Sequence, residues 1–333
     1  MKTGDRLTDA YEGAHVIEID DNARFVFMSD QHRGDGSNAD EFAKNKIIVT
    51  HALAHYLDEG FTLVELGDSE DLWEFPHVRH IVRAHGIVYG KLREFHAAGR
   101  YLRLYGNHDA QLADPRYVRQ NLTEAPSART GELEPLLPDL TVHEAVLLRV
   151  RGTGQEILVL HGHQGDFSND QNWRVTMFTY RAFWRWLHAF GIHSPSSPIR
   201  NIYKRHKVER HYVKWIHESD VALICGHTHR AKFPAADESP YFNTGSCTFN
   251  SYVTCIEISG GQIALVRWRV ESDVNGYLHV VRWVLSGPRP LDVYDRKRHP
   301  GLSPEAEAER HEELRARSRR VPARRDGPRE SVR

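Results

Sequence analysis

Hydrophobic residues along the first hundred positions follow two different spacings. Short runs of β-branched and aromatic residues predict strands, and apolar residues repeated every three or four positions predict helices. The predicted strands are residues 15–19, 24–28, 61–66 and 100–105, and the predicted helices are residues 40–58 and 77–98. This strand–helix–strand order is typical of an α/β domain with parallel strand pairs.

The pattern changes twice in the second half of the chain. Prolines and charges over residues 115–139 predict a loop excursion, and the aromatic and basic residues of 169–218 predict a helical insertion. Strands are predicted at 140–150, 156–160 and 221–225, with further β-like runs between 240 and 285. We expect these last runs to add strands to a second sheet.

Composition limits the classes of protein that fit this pattern. The chain has 333 residues, 40% of them hydrophobic, and a formal net charge of -1, so no chain-wide attraction to nucleic acid is expected. No apolar run is long enough to span a membrane, and the first residues lack the apolar core of a secretory signal. Three cysteines form neither a disulfide framework nor a CxxC site, which favours a cytoplasmic protein with reduced thiols.

The domain organisation follows from the same observations. We predict one domain over residues 1–295, including the insertion at 169–218. Residues 296–333 are almost entirely charged or small residues and proline. They predict a separate tail, with either a short solvated helix at 303–318 or disorder.

Potential metal ligands follow the ends of five predicted strands. They are Asp30, His32, Asp68, Asn107, His161, His227 and His229. Residues two apart on an extended segment point to the same face, so the pairs at 30 and 32 and at 227 and 229 can each act together. Mixed carboxylate, amide and imidazole ligands suit Mn²⁺, Fe or Zn²⁺ better than Ca²⁺ or Mg²⁺ alone.

Such a set predicts a centre of two divalent ions about 3.5–4 Å apart, which would activate a bridging water and neutralise phosphate charge. His108 and Asp109 are the predicted catalytic residues. His108 could protonate the leaving oxygen, and Asp109 or Asp71 could orient a histidine. One alternative stays open, because His163 could serve as ligand in place of His161.

Several segments together resemble the signature of the calcineurin-like metallophosphoesterases. They are Asp30-Gln31-His32, Gly67-Asp68-Ser69-Glu70-Asp71, Gly106-Asn107-His108-Asp109, His161, Gly226-His227-Thr228-His229 and Asn243-Thr244-Gly245-Ser246. The resemblance implies a two-sheet β-sandwich flanked by helices. It also implies the following roles: Asp30, His32 and His229 on one metal, Asn107, His161 and His227 on the other, Asp68 bridging, and His108 as catalytic histidine.

The insertion is expected to form a helical cap over the metal centre, and the alternative is a helical pair packed on the sandwich. The candidate substrate contacts are Arg33, His163, Arg181, Arg185 and Lys204. For Arg33 a surface salt bridge is the alternative. The segment Gly67–Trp73 and the insertion are similar to the UDP-2,3-diacylglucosamine hydrolase-like branch, although His108 stands where that branch typically carries arginine.

These features predict a hydrolase of phosphoester or pyrophosphate bonds that uses a metal-bridged hydroxide. Two Mn²⁺ ions are the expected cofactors, with Fe or Zn²⁺ as alternatives. The expected substrate is a nucleotide-sugar or a lipid-linked pyrophosphate, with peripheral membrane contact through the cap. The alternatives are a protein serine/threonine phosphatase and a catalytically silent scaffold of the same fold.

Overall fold

Two β-sheets lie face to face at the centre of the protein in the computed structural model, which describes residues 3–126, 130–164 and 202–310. The helices are α1 (Thr3–Glu12), α2 (Lys46–Asp58), α3 (Val78–Ala84), α4 (Gly86–Ala97), α5 (Pro115–Leu122) and α6 (Ile202–Ser219), with a further helix at 304–310. Short 3₁₀ helices lie at Glu41–Asn45, Ala110–Ala113 and Leu291–Tyr294.

The strands alternate with these helices through much of the chain. They are β1 (His15–Ile19), β2 (Arg24–Met28), β3 (Thr62–Glu65), β4 (Tyr101–Leu104), β5 (Glu124–Pro126), β6 (Leu133–Pro135), β7 (Val142–His143), β8 (Ala145–Val150), β9 (Glu156–Leu160), β10 (Ala222–Cys225), β11 (Tyr241–Asn243), β12 (Tyr252–Ser259), β13 (Gln262–Ser272) and β14 (Leu278–Pro290).

The larger sheet has seven strands in the order β14-β13-β12-β2-β3-β4-β7. Strands β2, β3, β4 and β7 run parallel, whereas β12 pairs antiparallel with β2. Successive side chains of a strand point to opposite faces. Accordingly Phe25 and Phe27 face the other sheet, while Val26 and Met28 pack under the helices. Both faces of β2 are therefore buried, which explains its continuous apolar sequence.

The smaller sheet has five strands in the order β1-β8-β9-β10-β11, and its outer face is covered by α1 and α6. Its inner face meets the larger sheet through an apolar layer that includes Val146, Val159 and Ile224. The result is four layers, helix–sheet–sheet–helix. The predicted fold class, an α/β two-sheet sandwich flanked by helices, is confirmed.

Three details of the sequence prediction differ from the structure. Most of the β-like runs after residue 250 extend the larger sheet, because Ile256 and Ile258 of β12 pack between the sheets beside β2. The helix predicted at 77–98 is broken at His85, whose ring is buried against Asp40 with Nε2 and Oδ2 2.7 Å apart. The excursion at 115–139 contains α5 and the β5–β6 hairpin instead of a plain loop.

The insertion is described only from residue 202 onward, where it forms α6. Within α6, Tyr212, Trp215 and Ile216 are buried against the smaller sheet, so this part packs as a helix on the sandwich. The remainder of the predicted cap, residues 169–201, lies outside the described residues. No helix in the described ranges is both long and apolar enough to cross a membrane.

The start of the predicted tail is packed on the body. Arg296 is buried and contacts His217, and the carboxylate of Glu307 accepts a hydrogen bond of 2.6 Å from Ser239 Oγ. Residues up to 310 therefore continue the packed structure beyond the predicted boundary at 296, and residues 311–333 lie outside the described ranges.

Candidate metal centre

All seven predicted ligands follow strands whose carboxyl ends meet at one edge of the sandwich. Strand β2 of the larger sheet precedes Asp30 and His32, and strands β3 and β4 precede Asp68 and Asn107. Strands β9 and β10 of the smaller sheet precede His161, His227 and His229. Parallel strands place the turns that follow them at the same edge of a sheet. The fold thus collects residues that are up to about 200 positions apart in the chain.

The backbone at this edge is held in an uncommon conformation. Five of the seven predicted ligands have positive φ angles between 49° and 63°: Asp30, His32, Asp68, His227 and His229. Non-glycine residues enter this left-handed region at an energetic cost, and such residues concentrate at functional sites. Three other residues that are not glycine also have positive φ angles and are not predicted ligands: Asp139, Asp220 and Ser251.

Asp30, His32 and His229 form the first group of potential ligands. Asp30 Oδ1 lies 3.1 Å from His229 Nε2 and 3.9 Å from His32 Nε2. The other oxygen, Oδ2, accepts a 2.9 Å hydrogen bond from the His227 backbone and a hydrogen bond from Ser29 Oγ. Oδ1 is therefore the oxygen of Asp30 that is directed at the histidines.

Asp68, His161 and His227 form the second group, with potential ligand atoms within 4.8 Å of one another. His161 Nδ1 donates to the Leu66 carbonyl oxygen at 3.0 Å, which directs the opposite nitrogen, Nε2, to within 3.2 Å of Asp68 Oδ2. A backbone carbonyl that binds one ring nitrogen is the usual way to orient a metal-binding histidine. The structure brings His161 into the group, so the geometry favours it over His163.

Asp68 lies between the two groups. Its Oδ2 atom is 3.8 Å from His32 Nε2 of the first group and 3.2 Å from His161 Nε2 of the second. Its Oδ1 atom accepts a 2.8 Å hydrogen bond from the His108 backbone. This position is the one that a bridging carboxylate would need.

The buried polar atoms of the centre fit divalent ions. Asn107 Oδ1 is buried and has no hydrogen-bond partner within the described part of the chain. Asp30 Oδ1 and His161 Nε2 are also buried and face the ion-pair partners His229 and Asp68. Buried polar atoms are rarely left unsatisfied in proteins, and a bound divalent ion would satisfy the amide oxygen of Asn107. Oxygen and imidazole nitrogen together match the donor preferences of Mn²⁺, Fe and Zn²⁺.

Electrostatics at the centre favour cations. Burial by itself would lower the pKa of both His32 and His161. Nearby carboxylates outweigh burial and raise these pKa values to about 10 and about 9, chiefly through Asp71 and Asp68 for His32 and through Asp68 for His161. Burial would likewise raise the pKa of Asp30, but His229 and His161 lower it to about 2. Carboxylates that hold protons on these rings would also attract metal ions in their place.

His108 lies beside the centre and is oriented from two sides. Its Nδ1 atom is 2.9 Å from Asp71 Oδ1, and its ring stacks on Trp73 with centroids 4.2 Å apart. A second oxygen of Asp71 lies 3.6 Å from His32 Nδ1. Asp71 is thus the carboxylate that can orient a histidine, and Trp73 is a contact that the sequence did not predict.

Asp109 is surrounded by hydrogen-bond donors. Its carboxylate is fully buried and accepts hydrogen bonds from the backbone of Gly106, Asp68 and Ser69 and from Arg103. Three of these donors are backbone groups of the two turns that carry Asp68 and Asn107, and the fourth, Arg103, belongs to strand β4. Asp109 therefore supports the turns through buried hydrogen bonds, and its predicted catalytic role stays a prediction.

Arg33 is not on the protein surface. Its side chain has no exposed surface and pairs with Glu65 at 2.9 Å and with Glu70 at 2.7 Å. Gln31 and Tyr89 join the same buried group, because each donates to one of these glutamates. A guanidinium held in this way is not part of a surface salt bridge, so that alternative is corrected, while the phosphate contact stays a prediction.

The remaining predicted substrate contacts are placed only in part. His163 is buried, 5.5 Å from His161 between ring centroids, and burial together with the charges of His161 and His227 holds its pKa well below the usual range. Arg181 and Arg185 lie outside the described residues, as does the side chain of Lys204.

Residues that are not predicted ligands also support the centre. Asn243 donates to the Gly226 carbonyl at 2.6 Å and accepts from Gly245 at 2.9 Å, which ties two turns together. Ser29 Oγ lies 2.6 Å from Thr244 Oγ1, under Asp30. The segment Asn243–Ser246 was recognised as part of the signature, but its supporting contacts join residues that are distant in the chain.

A separate cavity of about 890 Å³ lies between α3, α4 and the β5–β6 hairpin. Lys46, Arg79, Arg83 and Arg93 contribute its positive charge, and Glu134 pairs with Arg93 at 3.4 Å. None of its lining residues is a predicted metal ligand, so this cavity is distinct from the candidate metal centre.

Comparison with known proteins adds two solved structures. The chain matches no family model and has no significant match among curated proteins. Vps29 from Chaetomium thermophilum is similar at 14% identity and a TM-score of 0.35, over 81% of this chain and 98% of that one. The same protein in complex with the RaPID-derived cyclic peptide RT-D3 is similar at 15% identity and a TM-score of 0.31, over 80% and 98%.

TM-scores at this level identify neither a family nor an activity for the chain. The protein is a two-sheet α/β protein with a candidate metal centre at one edge of the sandwich.

Proposed function

We propose that this protein is a hydrolase of phosphoester or pyrophosphate bonds that depends on two divalent metal ions. The observation that carries the proposal is the position of Asp68 between the groups Asp30, His32, His229 and His161, His227. Two bound ions would supply a nucleophilic hydroxide near neutral pH and neutralise charge on the phosphate. Asn107, whose amide oxygen is buried without a hydrogen-bond partner among the described residues, would complete the second group.

The chain's own residues supply orientation and proton transfer. Asp71 holds His108 through Nδ1, so the Nε2 atom of His108 can donate a proton to a leaving oxygen. The stacked ring of Trp73 restricts rotation of the imidazole. Because the ligands lie on turns supported by buried hydrogen bonds, little reorganisation is needed when the ions and the substrate bind.

For the substrate we propose a nucleotide-sugar or a lipid-linked pyrophosphate. The support for this narrower proposal is the sequence similarity around Gly67–Trp73 together with the aromatic and basic insertion. Mn²⁺ is the proposed native metal, because the donor set mixes carboxylate, amide and imidazole groups. A folded scaffold that binds metal without turnover is the competing function.

The first expected result concerns metal dependence. Purified protein treated with a chelator should lose hydrolysis of bis-p-nitrophenyl phosphate, and Mn²⁺ should restore it with a stoichiometry of two ions, because both groups must be filled. Metal content would be measured by mass spectrometry and turnover by release of nitrophenol. UDP-sugars and lipid pyrophosphates in the same assay would identify the leaving group. Two bound ions without turnover on any phosphoester would favour the scaffold.

The second expected result concerns His108. Replacing His108 by asparagine should lower kcat by about 10²–10⁴-fold, the usual contribution of a general acid, while metal content stays at the wild-type level. Asp71→Asn should lower kcat in the same direction, since it removes the carboxylate that orients the ring. The exposed His80 provides the control, and its asparagine variant should keep full activity. Unchanged kcat in His108→Asn would remove His108 from the reaction.

A further inference from the structure

The turns that carry Asp68 and Asn107 are joined by one buried carboxylate. Asp109 Oδ1 accepts hydrogen bonds from the Gly106 nitrogen at 2.5 Å and the Asp68 nitrogen at 3.2 Å. Its Oδ2 atom accepts from the Ser69 nitrogen at 2.9 Å. Asp109 therefore binds the backbone of both turns at once, although it belongs to only one of them.

The two turns also interlock in the opposite direction. Asp68 Oδ1 accepts a 2.8 Å hydrogen bond from the His108 nitrogen, so each turn supplies a carboxylate to the backbone of the other. The backbones approach so closely that a Cβ atom on Gly67 would collide with Tyr105 and Gly106, and one on Gly106 would collide with Asp68. Only glycine fits at both positions, and a small displacement of either turn would move a predicted ligand.

Arg103 holds the Asp109 carboxylate in place. Its Nη2 atom donates to Asp109 Oδ2 at 2.8 Å, and the same guanidinium pairs with Glu65 and Glu70. Both Arg103 and Asp109 are almost completely buried. A buried carboxylate keeps its charge and its direction only when such partners surround it, so the arginine determines where the oxygens of Asp109 point.

We propose that Asp109, held by Arg103, is a positioning residue for the metal ion that Asn107, His161 and His227 would bind. The inference rests on the proposed function and specifies which of the two ions depends on this support. Asn107 and the bridging Asp68 lie on the turns that Asp109 joins. Asp30, by contrast, is tied by hydrogen bonds to Ser29 and to the His227 backbone. Loss of Asp109 should therefore weaken binding of the ion at the second group, with Asn107, more than binding of the ion at the first group, with Asp30.

The test measures metal binding and needs no substrate. Asp109→Asn keeps the shape of the side chain but puts an amide donor where backbone N–H groups already donate. Manganese titration by calorimetry and metal analysis after gel filtration should give two ions for the wild-type protein. For the variant we expect about one retained ion and at least about tenfold weaker binding of the other, the usual effect of losing a group that orients ligands.

Glu257 offers a matched control. It is a buried carboxylate of the larger sheet that accepts from Arg282 and from Tyr56, and none of these residues is a predicted ligand. Glu257→Gln should lower the melting temperature in a similar way and still bind two ions. If Asp109→Asn fails to fold, Arg103→Lys takes its place, because lysine keeps the charge and loses the forked pairing.

The possible outcomes separate the two proposals. A folded variant that binds both ions as the wild type does, or that loses both to the same extent, would overturn the positioning role. A wild-type protein that binds no metal would refute the proposed function itself. Selective loss of one ion in Asp109→Asn, with two ions retained in Glu257→Gln, would establish the role.

Discussion

Replacing Asp68 by asparagine should lower kcat/KM for the metal-dependent reaction by at least about a thousandfold, or about 4 kcal/mol of transition-state stabilisation. Asp68 is the residue that reaches both ligand groups, at 3.8 Å from His32 Nε2 and 3.2 Å from His161 Nε2. An amide has one oxygen and no charge, so it can neither bridge two ions well nor balance their positive charge. The measurement is steady-state turnover with a saturating concentration of Mn²⁺.

Asparagine is chosen because it tolerates the left-handed backbone that Asp68 adopts at a φ of 49°. Asp139 is the matched control, since it has a φ of 57° and is exposed outside the centre. Asp139→Asn should keep wild-type turnover and wild-type metal content. Circular dichroism would establish that Asp68→Asn is folded, and full activity in that folded variant would eliminate the dinuclear assignment.

The second large effect is on stability and concerns Arg33. Replacing Arg33 by methionine should lower the free energy of unfolding by about 3–5 kcal/mol, because Glu65 and Glu70 would lose a buried ionic partner. Burial by itself would lower the pKa of Arg33. Glu65 and Glu70 outweigh burial and raise this pKa, so the arginine stays charged at neutral pH. The measurement is denaturant unfolding followed by circular dichroism.

Arg149 provides the comparison for this variant. It pairs with Glu156 at 2.8 Å on the surface, where 41% of its side chain is exposed. Arg149→Met should leave the free energy of unfolding nearly unchanged, since exposed ion pairs contribute little. If Arg33→Met kept its stability and instead raised KM for a phosphoester, Arg33 would have the phosphate contact that the sequence suggested.

Local signals predicted much of the fold. Strand β2 was predicted at its observed bounds because its β-branched and aromatic residues are buried on both faces. The helix predicted at 77–98 failed at one position, because the hydrogen bond between His85 and Asp40 joins residues 45 positions apart. The prediction that β12–β14 belong to a second sheet was wrong for a similar reason. Packing between distant segments decides which strands pair, and β12 pairs with β2 of the larger sheet.

The candidate site shows the same division. Ligand types and their spacing are local properties, so all seven positions could be named from turns that follow apolar strands. The burial of Arg33 and Asp109 could not be predicted in this way. An arginine after a DxH motif resembles a residue that meets phosphate, and an aspartate after Gly106-Asn107-His108 resembles one that orients a histidine. The burial of both depends on strands β3 and β4.

By itself, the sequence determined the α/β class, the strand ends and the chemical identity of the candidate ligands, because each depends on residues close together in the chain. Only the tertiary structure decided that His161 and not His163 meets Asp68, that Asp71 orients His108, and that Asp109 joins two turns. The physical reason is that hydrogen-bond direction and burial depend on which distant segments meet. A side chain's role is therefore set by its neighbours in space as much as by its chemistry.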